Sequence, residues 1–291
     1  MIYYFLPSPG IYGGVKVAFQ FSQMLRELGI PVVVATPSGN SPSWFYHCVP
    51  TTDRKKVLAE LKASDVVLFS LPHDYVALKS TGAKLIFHCQ GTDPLIDPIV
   101  RDESVLKLTC WQQAQDYFEQ RSADAIEVGI SISSEFFYSG ERKMKNSVSY
   151  MSRKVEGSEF LGTFDKNWYL MDGLRELEVA EMMKRSEGFI ATVSNEWFGL
   201  PALEAMASAN LVVSPPTIGG TEYLEDGVNC AISTPDLFAM SMRELLYLSE
   251  STKEGFRNRA FESALAYHPS VQRMRLRTLI SESELGKFLC G

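Results

Sequence analysis

The chain has 291 residues, room for two ordinary domains or one large α/β domain, and its 45% apolar and 22% charged content is that of a packed globular protein. A net charge of −7 opposes nonspecific binding to nucleic acid or to an anionic membrane, since both need clustered Lys and Arg. Five cysteines (Cys48, Cys89, Cys110, Cys230 and Cys290) are odd in number and scattered, so neither a metal site nor a disulfide framework is expected, and a reducing cytoplasm is.

The opening "MIYYFLPSPGIYGG" carries no basic segment or small-residue cleavage site and reads as a first strand rather than an export signal. No uncharged apolar run reaches the roughly 18 residues of a membrane span. "VKVAFQFSQMLRELG" then places Val17, Phe21, Leu25 and Leu28 at helical spacing, with Gly29 as the terminating glycine. "PVVVATP" reads as a strand, "KKVLAELKAS" as a helix, and "DVVLFSLP" and "AKLIFHCQG" as two further strands. "KLTCW", the helix "QQAQDYFEQRS" and "DAIEVGI" extend the alternation, which implies a parallel sheet covered on both faces.

The polar, strand-poor stretch "YSGERKMKNS" predicts a domain boundary. A second series follows: strand "SVSYM", helix "LEVAEMMKRS", strand "GFIATVS", helix "PALEAMASA", strand "LVVSP" and short helix "TEYLEDG", with "CAIS" after it. Helical segments then run to the end through "VQRMRLRTLI". The expected organisation is an amino-terminal Rossmann-like domain over 1–142, completed by helix 270–291, and a carboxy-terminal Rossmann-like domain over 143–269. Ligands of open α/β sheets sit beyond the carboxyl ends of strands, so the strand ends are where chemistry is sought.

Gly13 and Gly14 follow the first strand at the mouth of the first helix, where bare amides and a helix N-terminus offer a phosphate-sized socket or, more blandly, a tight connection. Arg153 and Lys154 follow "SVSYM" after one serine and are either a diphosphate clamp or a solvated pair. In "SNEWFGLPALEAMASANLVVSPPTIGG" Pro201 suits a helix start. That puts Glu204 in the first turn and Glu196 on the preceding loop, with Gly199 and Leu200 between them. Two carboxylates there can accept the vicinal hydroxyls of a ribose and a sugar beside a phosphate; each could instead simply favour the macrodipole. Gly219, Gly220 and Thr221 offer a second set of free amides, with Glu222 a cap. His88, with Gln90 and Asp93 close behind, ends another strand, and Trp168, Tyr169, Trp197 and Phe198 are either pocket lining or core.

These residues resemble the retaining glycosyltransferases of GT-B fold, family 4. "SNEWFGLPALEAMASANLVVSPPTIGGTEYLEDGVN" looks like that family's E-x7-E signature, and "PGIYGGVKVAFQFSQMLRELGIPVVVATP" like its amino-terminal glycine loop and first helix. "SYMSRK" is similar to the "YMPRK" of a branch that includes a bacterial rhamnosyltransferase. The resemblance implies two Rossmann-like domains facing across a cleft, the second shortened, because only Val155 to Tyr169 separates the cations from "LMDGL". It implies that Gly13 and Gly14 approach the donor phosphate and that Arg153 and Lys154 stabilise the leaving diphosphate, with Lys166 an alternative to Lys154. Glu196 would face the transferred sugar, Glu204 the ribose, and His88 would lie near the sugar. The implied reaction takes a nucleoside-diphosphate sugar to a hydroxyl acceptor in the cytoplasm or at the inner face of the membrane, with retention and without cofactor or metal. A catalytically silent nucleotide-sugar-binding subunit, and an inverting enzyme with His88 or Asp93 as base, are the alternatives.

Overall fold

A computed structural model of the chain describes residues 1–152 and 158–290, and the chain forms two compact units, Met1–Ser131 with Pro269–Gly291, and Ile132–His268. The sequence boundary expected at 142/143 falls inside the second unit. The reason is that Tyr138 and Lys143 are tied to the second unit, through the Tyr138 amide on the Ala207 carbonyl (2.9 Å) and the Lys143 ammonium on the Ser208 carbonyl (2.6 Å).

The first unit is a seven-stranded parallel sheet of order β3-β2-β1-β4-β5-β6-β7. The strands are β1 (Ile2–Phe5), β2 (Val32–Thr36), β3 (Thr51–Asp53), β4 (Val66–Phe69), β5 (Lys84–Cys89), β6 (Val105–Thr109) and β7 (Ile126–Glu127). Its helices are α1 (Gly13–Glu27), α2 (Arg54–Glu60), α3 (Pro72–Lys79), α4 (Asp97–Val100) and α5 (Gln112–Glu119). The apolar strands pack on α1 through Val15, Phe19 and Leu25. Gly29 ends α1 at φ +84°, with the Gly29 and Ile30 amides on the Arg26 and Leu25 carbonyls, so the helix closes as its glycine predicts.

The second unit is a five-stranded parallel sheet of order β12-β11-β10-β8-β9. Its strands are β8 (Met144–Tyr150), β9 (Tyr169–Leu170), β10 (Ser186–Ile190), β11 (Leu211–Ser214) and β12 (Ala231–Ile232), and its helices α6 (Glu176–Arg185), α7 (Leu200–Ala207), α8 (Phe238–Tyr247) and α9 (Glu250–Leu265). Between β8 and β9 the described residues contribute one 3-10 turn, Ser158–Thr163. Phe160, Trp168, Ile190, Val213, Phe238 and Met242 form the core on one face of this sheet. Helices α10 (Pro269–Glu282) and α11 (Glu284–Cys290) return to the first unit, where Leu276 and Leu285 enter its core.

Three short strands, β3, β9 and β12, and helices α3 and α4 were not expected. The strands are three, two and two residues long and lie at sheet edges with no buried side chain, α3 buries only Asp74 and Leu78, and α4 has four residues, so none gives an apolar period. The expected helix "TEYLEDG" is a 3-10 turn, Gly219–Glu222, because Tyr223 leaves the helical region at φ −136° and is buried.

Candidate functional site

In the second unit the chain order reverses beside β8, with β9 on one side and β10, β11 and β12 on the other. That is the switch point at which open α/β sheets hold ligands, beyond the strands' carboxyl ends. A crevice of about 50 Å³ opens there. Its wall is Met151 after β8, Phe189 on β10, Ala191, Thr192 and Val193 after β10, Ser214 at the end of β11, and Thr217 beyond it. The loop before α7 adds Glu196 and Gly199, and α7 itself adds Pro201 and Ala202. Among the described residues Glu196 is the one ionisable side chain on that wall. The edges are pinned by the Thr192 hydroxyl on the Met151 carbonyl and by the Ser214 hydroxyl on the Pro215 carbonyl (2.9 Å).

Helix α7 aims its N-terminus at this crevice, since Gly199 caps it and Pro201 and Ala202, its second and third residues, line the wall. The helix dipole makes such a tip favourable to an anion, while Pro201 carries no N–H and the Ala202 and Leu203 amides turn to the Gly199 carbonyl (3.1 and 3.5 Å). Gly199 holds φ +81°, ψ +49°, and Asn195 holds φ +63°, so the loop doubles back sharply at two left-handed positions. Pro201 is the second helical residue, not the first, and this corrects the expected place of Glu204: it is the fifth residue of α7, one turn in, with 6% of its surface exposed. The two glutamates therefore stand differently, Glu196 on the crevice wall and Glu204 buried behind the helix's first turn. Leu200 is buried.

The loop that carries Glu196 is laced to the Gly-Gly turn. The Ile218 amide donates to the Glu196 carbonyl (3.3 Å) and the Gly219 amide to the Trp197 carbonyl (2.5 Å). The buried Tyr223 hydroxyl lies 2.7 Å from both the Phe198 and the Gly199 carbonyls, sharing its proton between them. Desolvation, with the nearby Tyr267 and the Glu196 charge, holds that phenol well above its ordinary pKa. This corrects the reading of Gly219 as a free donor. Its missing side chain has another purpose, because a Cβ there would meet Phe198 Cδ2 at 2.7 Å and the Trp197 oxygen at 2.9 Å, and one on Gly220 would meet Thr217 Oγ1 at 2.1 Å. The glycines let two loops close on one another. Thr221 and Glu222 are exposed and outside the crevice wall.

Of the aromatics, Phe198 and Trp168 are core, at 5% and 7% exposure, and Tyr169 is exposed; none lines the crevice, whose apolar floor is Phe189 and Met151. Arg153 and Lys154 lie outside the described residues, two and three positions after Met151. Lys166 is an exposed turn residue. Among the described residues no three His, Cys, Asp or Glu side chains converge as a metal site, and no helix is long and apolar enough to cross a membrane.

In the first unit Gly13 opens α1 after the β1 loop, as expected. The space beside Gly14 is taken: a Cβ there would lie 2.3 Å from Gln90 Oε1. His88 differs from its expected presentation at a strand end. Its ring is fully buried, with Nδ1 2.9 Å from the Tyr4 hydroxyl and Nε2 3.1 Å from Cys110 Sγ, and desolvation pushes its pKa down to about 3. Alternation along β5 turns it inward against Phe21, at 4.7 Å between ring centroids. Asp93 caps the turn Pro94–Ile96 by accepting from the Leu95 amide (2.8 Å).

Sequence reasoning missed Met151, Thr192, Ser214 and Thr217 on the wall, and Tyr223 beneath the loop. The first four sit just after three neighbouring strand ends, a signal that strand order would have supplied.

Comparisons with known proteins place this geometry. Residues 135–248 match the family described as "Glycosyl transferases group 1". Among solved structures, Anabaena Alr3699/HepE in complex with UDP-glucose aligns over 96% of this chain and 99% of its own, with a TM-score of 0.75 at 13% identity. Sucrose-phosphate synthase from Thermosynechococcus elongatus covers 98% of this chain and 99% of its own (TM-score 0.75, 11% identity). A glycosyltransferase from Rickettsia africae covers 100% and 98% (TM-score 0.70, 11% identity). No curated protein matches the chain by sequence. At these identities the likenesses show the fold, two parallel-sheet α/β domains of the GT-B kind.

Proposed function

We propose that this chain, a glycosyltransferase by its group 1 domain, moves a sugar from a nucleoside-diphosphate sugar to a hydroxyl acceptor with retention of configuration, as a family 4 enzyme would. The observation that carries the reading is the crevice at the second unit's switch point, with the tip of α7 and the Glu196 side chain on one wall. An anionic diphosphate suits the helix tip and its Gly199 and Leu200 turn, and the hydroxyls of a sugar suit a carboxylate. UDP with glucose, or UDP-glucose, is what the Anabaena structures hold, and a UDP-sugar is the donor proposed here.

In this reading Glu196 accepts hydrogen bonds from the transferred sugar, and Glu204, behind the helix tip, holds the ribose. Gly219 and Gly220, with Thr221 after them, stand behind the wall and hold the Glu196 loop in place through the close approach of Phe198 and Thr217. Arg153 and Lys154 neutralise the departing diphosphate, whose bond to the anomeric carbon breaks as the acceptor oxygen bonds to the same face. The leaving phosphate takes the acceptor's proton, so no protein base and no metal is needed, and stabilisation of the diphosphate is the largest contribution. Interior, neutral His88 and the capping role of Asp93 speak for this over an inverting enzyme with either as base. The short passage from β8 to β9 is where the second unit is reduced, and the cytoplasm is the proposed place of action.

Calorimetry with UDP and UDP-glucose, followed by product analysis, tests the reading. Glu196→Ala should weaken UDP-glucose binding more than UDP binding, and Arg153→Ala should depress turnover more than affinity. Donor binding without hydrolysis or transfer would point instead to a silent binding subunit, and an inverted anomeric signal by NMR would overturn retention.

A further inference from the structure

At the switch point of the second unit the ladder of β8 stops at Tyr150, which stands in register with Leu170 of β9 and Ile190 of β10. The last backbone tie on the β9 side is the Met171 amide on the Tyr150 carbonyl, at 2.9 Å. Side chains hold the next two residues instead. From the β10 side the Thr192 hydroxyl donates to the Met151 carbonyl, and both residues line the crevice. From the β9 side Asp172 takes Ser152 twice, the Ser152 amide donating to Oδ1 at 3.0 Å and the Ser152 hydroxyl to Oδ2 at 2.6 Å.

The sheet is thus prolonged past its own ladder by one side chain on each flank of β8. Asp172 is exposed, on the turn before α6 where Gly173 makes the bend at φ +83°, so the fold alone would accept many polar residues there. Its two oxygens are nevertheless spent on a single neutral residue, the one that follows Met151 of the crevice wall. A carboxylate suits that task, since it offers two acceptor oxygens where an amide side chain offers one, and hydrogen bonds to a charged group are the stronger kind. An acid one residue from a crevice for an anion also works against binding, because like charges repel. Its presence calls for a task that outweighs the repulsion, and the hold on Ser152 is that task.

We propose that Asp172 is a positioning residue for turnover: through Ser152 it fixes the carboxyl end of β8, so that the direction in which the chain leaves the crevice wall is set before the donor arrives. In sequence that chain continues at once into Arg153 and Lys154. That the fixed strand end serves departure of the diphosphate rests on the transfer reading; the hold on Ser152 itself does not. Thr192 holds the other flank but faces the crevice too, so Asp172 is the residue that isolates the effect.

The experiment measures release of UDP from UDP-glucose by the full chain, and hydrogen exchange of the Ser152 amide by NMR. Asp172→Ala should lower kcat roughly tenfold, the lower end for a hydrogen bond to a charged group, with KM changed by no more than about twofold, and should speed exchange at the Ser152 amide. Asp172→Asn keeps one acceptor oxygen and should lose only about threefold. Ser152→Ala should also lose about threefold in the parent and nothing further beside Asp172→Ala, because the two changes break one contact. Parental turnover in Asp172→Ala, an Asn variant as slow as the Ala variant, equal Ser152→Ala losses in both backgrounds, or unaltered Ser152 exchange overturns the proposal. A parent that releases no UDP overturns the transfer reading and the turnover role together, and the Ser152 exchange then decides the hold alone.

Discussion

Gly199→Ala is the perturbation that tests the site's construction most fully. At φ +81° an L residue is strained by roughly 1–2 kcal/mol. The new Cβ would also lie 2.9 Å from the Tyr223 hydroxyl and 3.2 Å from Thr217 Cγ2, both on the turn that the loop is laced to. Moving Tyr223 weakens its grip on the Phe198 and Gly199 carbonyls, a further loss of about 1 kcal/mol. The sum is about 2–3 kcal/mol, or a fall of roughly 4–12 °C in the melting temperature of a unit this size. Thermal unfolding followed by circular dichroism measures it, and UDP-glucose calorimetry should show weakened binding as the Glu196 loop shifts. In a Tyr223→Phe background the same substitution should be milder by about 1 kcal/mol, because the clashing oxygen is gone and neighbouring effects do not add. An alanine variant that melts with the parent, or that costs the same in both backgrounds, would refute the reasoning.

Acid should unfold the first unit through His88. Its pKa is about 3 when folded against 6.5 in its ordinary state, so below pH 6.5 the unfolded chain takes a proton that the folded chain refuses. Stability is therefore full above pH 6.5 and falls steadily toward pH 3, by an amount on the order of 5 kcal/mol at the limit, and His88→Gln should flatten that slope in urea titrations. The Glu187–Lys253 pair, 2.9 Å apart at 4% and 2% side-chain exposure, predicts that Glu187→Gln destabilises by about 3–5 kcal/mol, since it leaves a buried ammonium with only the exposed Glu250. Glu250→Gln should change little. Chelation with EDTA should leave transfer unchanged if the proposed cations Arg153 and Lys154 serve the diphosphate; activity lost and restored by a divalent ion would overturn that part.

Much of the fold is legible in the sequence because β1, β2, β4 and β11 are almost wholly apolar runs and β5 holds one at its centre, as strands buried on both faces must be. The edge strands β3 and β9 are too short and too exposed to leave a pattern. Glu196 could be placed on a loop between a strand end and Pro201, and it does line the crevice. The burial of Glu204 could not be read, because it depends on where α7 starts to within one residue. Gly219 and Gly220 stood out as special, yet their reason is the approach of Phe198, Trp197 and Thr217 in space, which spacing does not encode. His88 misled for a like cause: its strand end was visible, while its partners Tyr4 and Cys110 lie on other elements, 84 and 22 positions away.

A crystal structure of the chain with UDP-glucose tests the central claim most directly. The account predicts the diphosphate at the start of α7, between Met151, Thr192 and Gly199, with the glucose hydroxyls on the Glu196 carboxylate. Nucleotide bound away from the ends of β8, β10 and β11, or a glucose with no contact to Glu196, would contradict it.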